Sequence, residues 1–130
     1  HLQRYKEFYF WGREMTTNTG PLAGIKVVDM SVMISGPLTA MMLADYGADV
    51  IKVESPGLGD LMRFLGTSKG GMTGLFSLNN RGKRAITLNV KQAEGLDVLK
   101  KLIAGIRKIC FVFFYFIPWI NAEFMCCSYF

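Results

Sequence analysis

The chain has 130 residues, of which 51% are hydrophobic and 19% are charged, and its formal net charge is +5. This apolar content excludes an intrinsically disordered chain, because there is enough apolar surface to build a core. The basic residues are spread along the sequence without a long run, which argues against a nucleic-acid-binding protein.

Cysteine and histidine usage argues against a disulfide framework and against a zinc site. The cysteines are Cys110, Cys126 and Cys127, all close to the carboxyl end, and His1 is the only histidine. Neither a disulfide framework nor a set of closely spaced metal ligands can be built from these residues. The first residues lack the basic and then apolar pattern of a secretory signal. We therefore expect a cytoplasmic protein without a metal; a mitochondrial or peroxisomal location is compatible with a eukaryotic source.

The two ends of the chain differ from its middle. Residues 1–20 show no hydrophobic period and form an unassigned leader, in which Met15 is a candidate start. Residues 106–130 form an aberrant hydrophobic tail, with an apolar run interrupted by Pro118. A membrane-spanning helix needs roughly 20 apolar residues, and this run is only about a dozen long. We interpret the tail as a segment that was not selected to fold rather than as a membrane anchor.

The first elements of the middle segment form a repeating pattern of strand and helix. Short β-branched runs at residues 25–30 and 49–54 predict two buried strands. Pro37 suits the first position of a helix. Residues 38–46 are apolar on nearly every face, which predicts a helix buried against a sheet and ended by Gly47. Strand, helix and strand in this order predict a parallel βαβ unit.

The pattern continues after the second strand. Residues 21–105 as a whole predict an α/β fold with an open, unfinished parallel sheet, a βαβ unit followed by a further strand and helix. Such an unfinished sheet leaves apolar helix faces uncovered. The remaining predictions are a turn at 55–60, a mostly irregular link at 61–71, a helix at 72–80, a strand at 84–89 and a helix at 92–104.

Three loops after the predicted strands are candidate ligand sites. They lie at residues 31–36, 55–60 and 89–91. Ligands of open parallel sheets bind outside the carboxyl ends of the strands, where backbone amides and helix amino termini receive phosphate. Because these loops contain small residues and Lys91, we expect an anionic ligand.

Charged residues near the strand ends are further candidates. Asp29 and Glu54 end predicted strands, where functional carboxylates are common. Residues 79–84 place three cations around a glycine, which suits phosphate oxygens but is more often a solvated turn. The dinucleotide and nucleoside-triphosphate glycine signatures are absent, and no serine has a hydrolase context. We assign no catalytic residue.

A set of motifs between Pro21 and Gly105 resembles the amino-terminal part of the class III coenzyme A transferases. Their order and spacing along the chain also agree with that family. The motifs are Pro21-Leu22-x-Gly24-Ile25-x-Val27-x-Asp29, Gly36-Pro37, the run from Leu43 to Glu54, Gly57-x-Gly59-Asp60-x-x-Arg63, Phe76-x-x-x-Asn80-Arg81-Gly82-Lys83-Arg84 and Leu88-x-x-Lys91-x-x-Glu94-Gly95.

This resemblance implies a truncated Rossmann-like large domain of an enzyme that moves coenzyme A between an acyl-CoA and a carboxylic acid. Coenzyme A is then a substrate and not a permanently bound cofactor. Lys91 would contact a phosphate, and the other residues would act mainly through backbone and shape. The resemblance implies that the nucleotide of coenzyme A contacts Ile34, Ser35, Ser55, Leu88, Asn89, Val90 and Lys91.

The departures from the family are as informative as the matches. The family's catalytic aspartate, which forms an anhydride and then a thioester, lies well beyond residue 105 and has no counterpart here. The resemblance thus implies an amino-terminal fragment that is inactive alone, whereas full-length relatives are interlocked homodimers. Alternatives are a fragment of an α-methylacyl-CoA racemase-like protein, or a non-catalytic nucleotide-binding or interaction module with a membrane-seeking tail.

Overall fold

The computed structural model describes residues 19–70, 72–104 and 109–112, the last of these by backbone alone. The leader up to residue 18 and the tail from residue 113 onward lie outside the described residues. The elements in chain order are β1 (Lys26–Asp29), α1 (Ser35–Asp45), β2 (Asp49–Glu54), a 3₁₀ helix (Leu61–Phe64), β3 (Ser68–Lys69), β4 (Met72–Thr73), α2 (Gly74–Asn80), β5 (Arg84–Thr87), α3 (Ala93–Ala104) and β6 (Ile109–Val112).

The main sheet is parallel and has the strand order β5-β2-β1-β6. Val27 lies beside Val50 in the β1–β2 pair, and Ile51 lies beside Arg84 in the β2–β5 pair. The chain therefore adds strands in one direction from β1 and then returns to the other side of β1 to form β6. This reversal is the topological switch point of Rossmann-like sheets. The predicted α/β fold with a partial Rossmann-like sheet is confirmed.

The two faces of the sheet bury different helices. Val27 and Val50 pack with Ala40 of α1 on one face. Val28 and Val53 pack with Leu99 of α3 on the other. Neighbouring residues of a strand point to opposite faces, so the consecutive Val27 and Val28 serve both cores. The sheet is thereby covered by helices on both sides, as continuous β-branched runs predict.

Two features differ from the sequence prediction. Residues 61–73, predicted as a mostly irregular link and the start of a helix, contain the 3₁₀ helix and the two-residue strands β3 and β4, which pair antiparallel. No strand was predicted after Gly105, yet β6 pairs with β1 in register from Lys26 beside Ile109. A continuous apolar run is compatible with a buried strand, but periodicity alone does not identify one. No strand was assigned here because the run lies in the segment interpreted as an aberrant tail. The interpretation of residues 106–130 as aberrant stays a prediction.

The prediction that α1 is buried against the sheet holds for one side of the helix. Its side toward the sheet is buried, as Ala40 and Met41 show. The opposite side, which runs from Ile34 through Leu38 and Met42 to Tyr46, is between 38 and 54% exposed. A helix on one face of a single sheet can bury only one stripe, and these residues recur at helical spacing on the far side. The expectation that an apolar helix face is uncovered agrees with this stripe.

The ends of α1 follow the predicted chemistry with one shift. Pro37 is the third residue of the helix and not its first. Its missing N–H costs nothing there, because the first four N–H groups of a helix have no partner inside it. Gly47 has φ of +97° and its N–H donates to the carbonyl of Ala44, so the predicted left-handed stop is confirmed.

Gly95 allows α3 to approach the loop that follows β5. A Cβ atom at this position would lie 2.1 Å from the carbonyl oxygen of Asn89 and 2.7 Å from its carbonyl carbon. Backbone atoms cannot yield as a flexible side chain can. The glycine therefore fixes how closely the 88–91 loop lies on the helix.

We expect Gly95→Ala to lower the free energy of unfolding, although alanine is the better helix former by about 1 kcal/mol. The clash with the Asn89 backbone outweighs that gain. Gly74→Ala in α2 is the matched control, because a Cβ there meets no atom within 4 Å. It should be neutral or stabilise by up to about 1 kcal/mol. Urea unfolding of both variants measures the contrast, and equal effects would contradict this account.

Candidate functional site

Asp29, the last residue of β1, is fully buried and lies between two lysines. Lys83 Nζ is 2.8 Å and Lys52 Nζ 3.6 Å from its Oδ2 atom. The backbone N–H of Ser31 donates to Oδ1 at 2.9 Å, and the Ser31 hydroxyl donates to the same atom. Burial raises the pKa of Asp29, but the two ammonium groups and the hydrogen bonds outweigh it, so the pKa lies below its ordinary value.

Asp60 connects Lys52 to two separate loops. Its Oδ2 atom is 2.8 Å from Lys52 Nζ. Its Oδ1 atom accepts from the backbone N–H of Met62 at 3.0 Å and from that of Met33 at 3.1 Å. Lys52 also donates to the carbonyl of Ser31 at 2.9 Å. One buried ion pair thus holds the loop after β1 and the segment after β2 together.

Lys83 donates to three acceptors, each at 2.8 Å from its Nζ atom: the Asp29 carboxylate, the carbonyl of Pro37 and the side-chain oxygen of Asn80. Its side chain is 1% exposed. Burial lowers the pKa of Lys83 to about 8, although the Asp29 carboxylate opposes this change. The lysine therefore anchors the first turn of α1 to the end of β1.

Glu54, the last residue of β2, forms a two-point pair with Arg63. The Arg63 Nε and Nη2 atoms donate to the two carboxylate oxygens at 2.9 and 2.8 Å. The Asp60 backbone N–H also donates to Glu54 at 3.0 Å, and Arg63 lies 3.8 Å above the ring of Phe76. Burial raises the pKa of Glu54, but Arg63 outweighs it, so the pKa lies below its ordinary value.

These contacts correct the functional interpretation of the charged residues at the strand ends. Asp29 and Glu54 are neutralised by buried or half-buried cations and not presented to a ligand. In the 79–84 segment, Lys83 belongs to this network, and the exposed Arg81 and Arg84 pair with carboxylates. The interpretation of that segment as a phosphate site has no support in the structure. A fully compensated set of buried charges is typical of a structural network.

The three predicted ligand loops do lie at one edge of the sheet, because β1, β2 and β5 are adjacent and parallel. The Leu88 N–H donates to the carbonyl of Glu54 at 2.9 Å, so the 88–91 loop begins beside Ser55. The loop after β1 adjoins the switch point between β1 and β6, where ligands of such sheets bind.

The predicted site residues differ in how their side chains are placed. Leu88 and Val90 pack against the core around Leu99, so their side chains are directed to the core. Asn89 accepts from the Lys91 N–H at 3.2 Å, which forms an Asx turn. The exposed residues of the set are Ile34, Ser35, Ser55 and Lys91. Among the described residues Lys91 has no ion-pair partner.

Met33 in the loop after β1 was missed by sequence reasoning. Its φ is +69°, the left-handed conformation that a side chain rarely adopts and that costs about 1 to 3 kcal/mol. The next residue, Ile34, caps α1 without a side-chain hydrogen bond, so the positions of the first-turn N–H groups depend on the path of the loop.

The buried ion network does have a signal in the sequence, which is Lys52. A lysine within a buried strand requires a buried carboxylate, and Asp29 is its neighbour in the β1–β2 register.

In the part of the chain that the structure describes, neither a metal-ion cluster nor a membrane-spanning helix is present. No group of three or more histidine, cysteine, aspartate or glutamate residues in that part of the chain could hold a metal ion. Within the same ranges no helix is both long and apolar enough to cross a membrane.

Residues 22–106 match the family model described as CoA-transferase family III. The chain belongs to this family. The match covers α1, the three predicted ligand loops and the buried network, and it ends before β6.

Curated relatives of this CoA-transferase family III chain are similar over most of its described part. It is 45% identical over 96 residues to the succinyl-CoA–L-malate CoA-transferase beta subunit of Chloroflexus aurantiacus, covering 73% of this chain and 24% of that protein. It is 40% identical over 97 residues to human succinyl-CoA:glutarate CoA-transferase, covering 74% and 21%. It is 49% identical over 84 residues to formyl-CoA:oxalate CoA-transferase of Escherichia coli, covering 64% and 20%.

Solved structures of family proteins agree with the observed fold. A CAIB/BAIF family protein from Brucella suis superposes with a TM-score of 0.63 at 38% identity, over 71% of this chain and 25% of that protein. A Mycobacterium tuberculosis protein gives a TM-score of 0.61 at 32% identity, over 71% and 25%. The family III chain thus spans about a fifth to a quarter of the length of the curated relatives it matches.

We expect Lys83→Met to destabilise the protein by about 3 to 5 kcal/mol, because it leaves the Asp29 carboxylate buried without its nearest cation. Arg81→Met is the matched control two residues earlier. That side chain pairs with Asp45 on the surface, and its loss should cost less than about 1 kcal/mol. Chemical denaturation of both variants gives the comparison, and a Lys83→Met effect as small as the control's would refute a structural role.

Acid should destabilise the fold through Asp29 and Glu54. Folding lowers the pKa values of both carboxyl groups from their ordinary values of 3.8 and 4.5. Near and below these ordinary values the unfolded state therefore binds more protons than the folded state, and the free energy of unfolding decreases as the pH is lowered. Their contribution is fully present above those values and is lost as pH falls through the folded-state values. Denaturant unfolding from pH 6 to pH 3 should show a smaller loss for Glu54→Gln than for wild type. Asp97→Asn, on the surface of α3, should behave like wild type.

Proposed function

We propose that this chain provides the coenzyme A-binding start of a CoA-transferase, one that moves coenzyme A between an acyl-CoA and a carboxylic acid. The observation that supports it most is the meeting of three loops at the carboxyl edge of β1, β2 and β5, within the segment that matches the family. The three relatives described above are named as CoA-transferases, which favours this branch over a racemase.

The nucleotide half of coenzyme A fits the chemistry of this edge. Ile34 and Ser35 open α1, whose first-turn N–H groups have no side-chain cap and are suited to donate to phosphate oxygens. Lys91 adds an exposed ammonium group, and Ser55 a small exposed side chain. Leu88, Asn89 and Val90 would contribute through the backbone held against α3, because two of their side chains lie in the core.

The transfer reaction itself is proposed to require more than this chain. Group transfer in the family needs a nucleophilic carboxylate that forms a covalent intermediate. The buried carboxylates Asp29, Glu54 and Asp60 are each engaged by cations or backbone amides, so none is available to attack an acyl group. The chain would hold coenzyme A without exchanging its acyl group.

Calorimetric titration of the full chain with coenzyme A should detect binding, and Lys91→Ala should weaken it about tenfold through loss of a charged phosphate contact. Lys26→Ala is the matched control, because Lys26 is an exposed lysine at the opposite edge, at the start of β1. It should change the affinity less than about twofold. A 3′-phosphorylated ADP should compete with coenzyme A and pantetheine should not.

Incubation with an acyl-CoA donor and an acceptor acid should give no transfer above background. Turnover by the purified chain would contradict the proposed division between binding and chemistry. Absence of coenzyme A binding, or equal loss in the Lys91 and Lys26 variants, would contradict the proposed site.

A further inference from the structure

Asp60 acts on the loop after β1 from a distance of 27 residues along the chain. Its Oδ1 atom accepts from the Met33 N–H at 3.1 Å, and among the described residues Met33 is the non-glycine residue with a left-handed backbone. A left-handed methionine persists only where its surroundings determine it. The hydrogen bond to Asp60 is the contact that meets this backbone N–H directly.

The loop is also held on the other side of Met33. Lys52 donates to the Ser31 carbonyl at 2.9 Å and lies 2.8 Å from Asp60 Oδ2, so one ion pair contacts the loop at both Ser31 and Met33. Asp60 is 0% and Lys52 1% exposed, so neither side chain can itself reach a ligand at the surface. Both act through the backbone of residues 31–33.

We propose that Asp60 is a positioning residue for coenzyme A: through its hydrogen bond to Met33 and its ion pair with Lys52, it sets the path that presents Ile34 and Ser35 to the nucleotide. This inference rests on the proposed function. If the loop without Asp60 samples its binding conformation a tenth of the time, the apparent dissociation constant rises about tenfold.

Three variants separate positioning from stability. Asp60→Ala removes both interactions and also the hydrogen bond from the Met62 N–H. Asp60→Asn keeps an oxygen that can accept from Met33 and loses the charge that faces Lys52. Val50→Ala, in the core under α1 near the start of β2, is the control that lowers stability without touching the loop.

The measurements are coenzyme A affinity by calorimetry and amide hydrogen exchange at Met33, both on the full chain well below each variant's thermal midpoint. Asp60→Ala should raise the dissociation constant about tenfold and speed exchange at Met33 relative to the amides of β1. Asp60→Asn should keep Met33 protected and bind more tightly than Asp60→Ala. Val50→Ala should change neither the dissociation constant for coenzyme A nor the exchange rate at Met33 relative to the amides of β1.

Two results would overturn the inference while leaving the proposed function intact. One is an unchanged affinity in Asp60→Ala. The other is an equal loss of affinity in Asp60→Ala and Val50→Ala, which would show that stability alone is responsible. A wild-type chain that does not bind coenzyme A would refute the proposed function itself, and the inference with it.

Discussion

The buried ion network of Asp29, Lys52, Asp60 and Lys83 is the interaction on which the arrangement of the loops depends. β1 and β2 are held to each other by their backbones, but backbone pairing ends with the strands, and the loops beyond them need other partners. The two lysines supply these partners, because each one contacts a carboxylate and also a backbone carbonyl, that of Ser31 in the loop or that of Pro37 in the first turn of α1. The carboxyl edge of the sheet is thus fixed by charges that lie beneath it.

Such a network adds less stability than its short distances suggest, since taking four charges out of water offsets most of their mutual attraction. The network instead determines which conformation of the loop after β1 is stable. An apolar core would tolerate small shifts of the loop after β1, whereas a buried carboxylate that loses its cation or amide donors incurs a large penalty. The same logic accounts for Met33: the left-handed backbone is unfavourable locally, yet any other path would remove the N–H from Asp60. The network therefore adds little to the free energy of unfolding but restricts the loop after β1 to one conformation.

The sequence predicted the fold better than the site because strands and helices have local patterns and ion networks do not. The runs at 25–30 and 49–54 and the period of α3 are properties of neighbouring residues, and each produced the expected element. The partners Asp29 and Lys83 are 54 residues apart, and nothing local joins them. From its strand-end position alone Asp29 is therefore only a candidate functional carboxylate, although the lysine inside β2 already requires an acid nearby. The apolar pattern of α1 is uniform, so the sequence predicts burial against the sheet, but only the tertiary structure shows which face of the helix meets it.

The division of charge at the carboxyl edge determines what kind of recognition it can perform. Its buried cations are already matched by carboxylates, and among the described residues of the three loops Lys91 is the cation without an ion-pair partner. Phosphate affinity at this edge would then come chiefly from backbone amides, whose directions are fixed by the path of the chain. Amide recognition is sensitive to small displacements, because hydrogen bonds weaken steeply with angle. Under the proposed function, a buried residue such as Asp60 would consequently affect binding as strongly as a residue that touches the ligand, because it sets the directions of the amides that do.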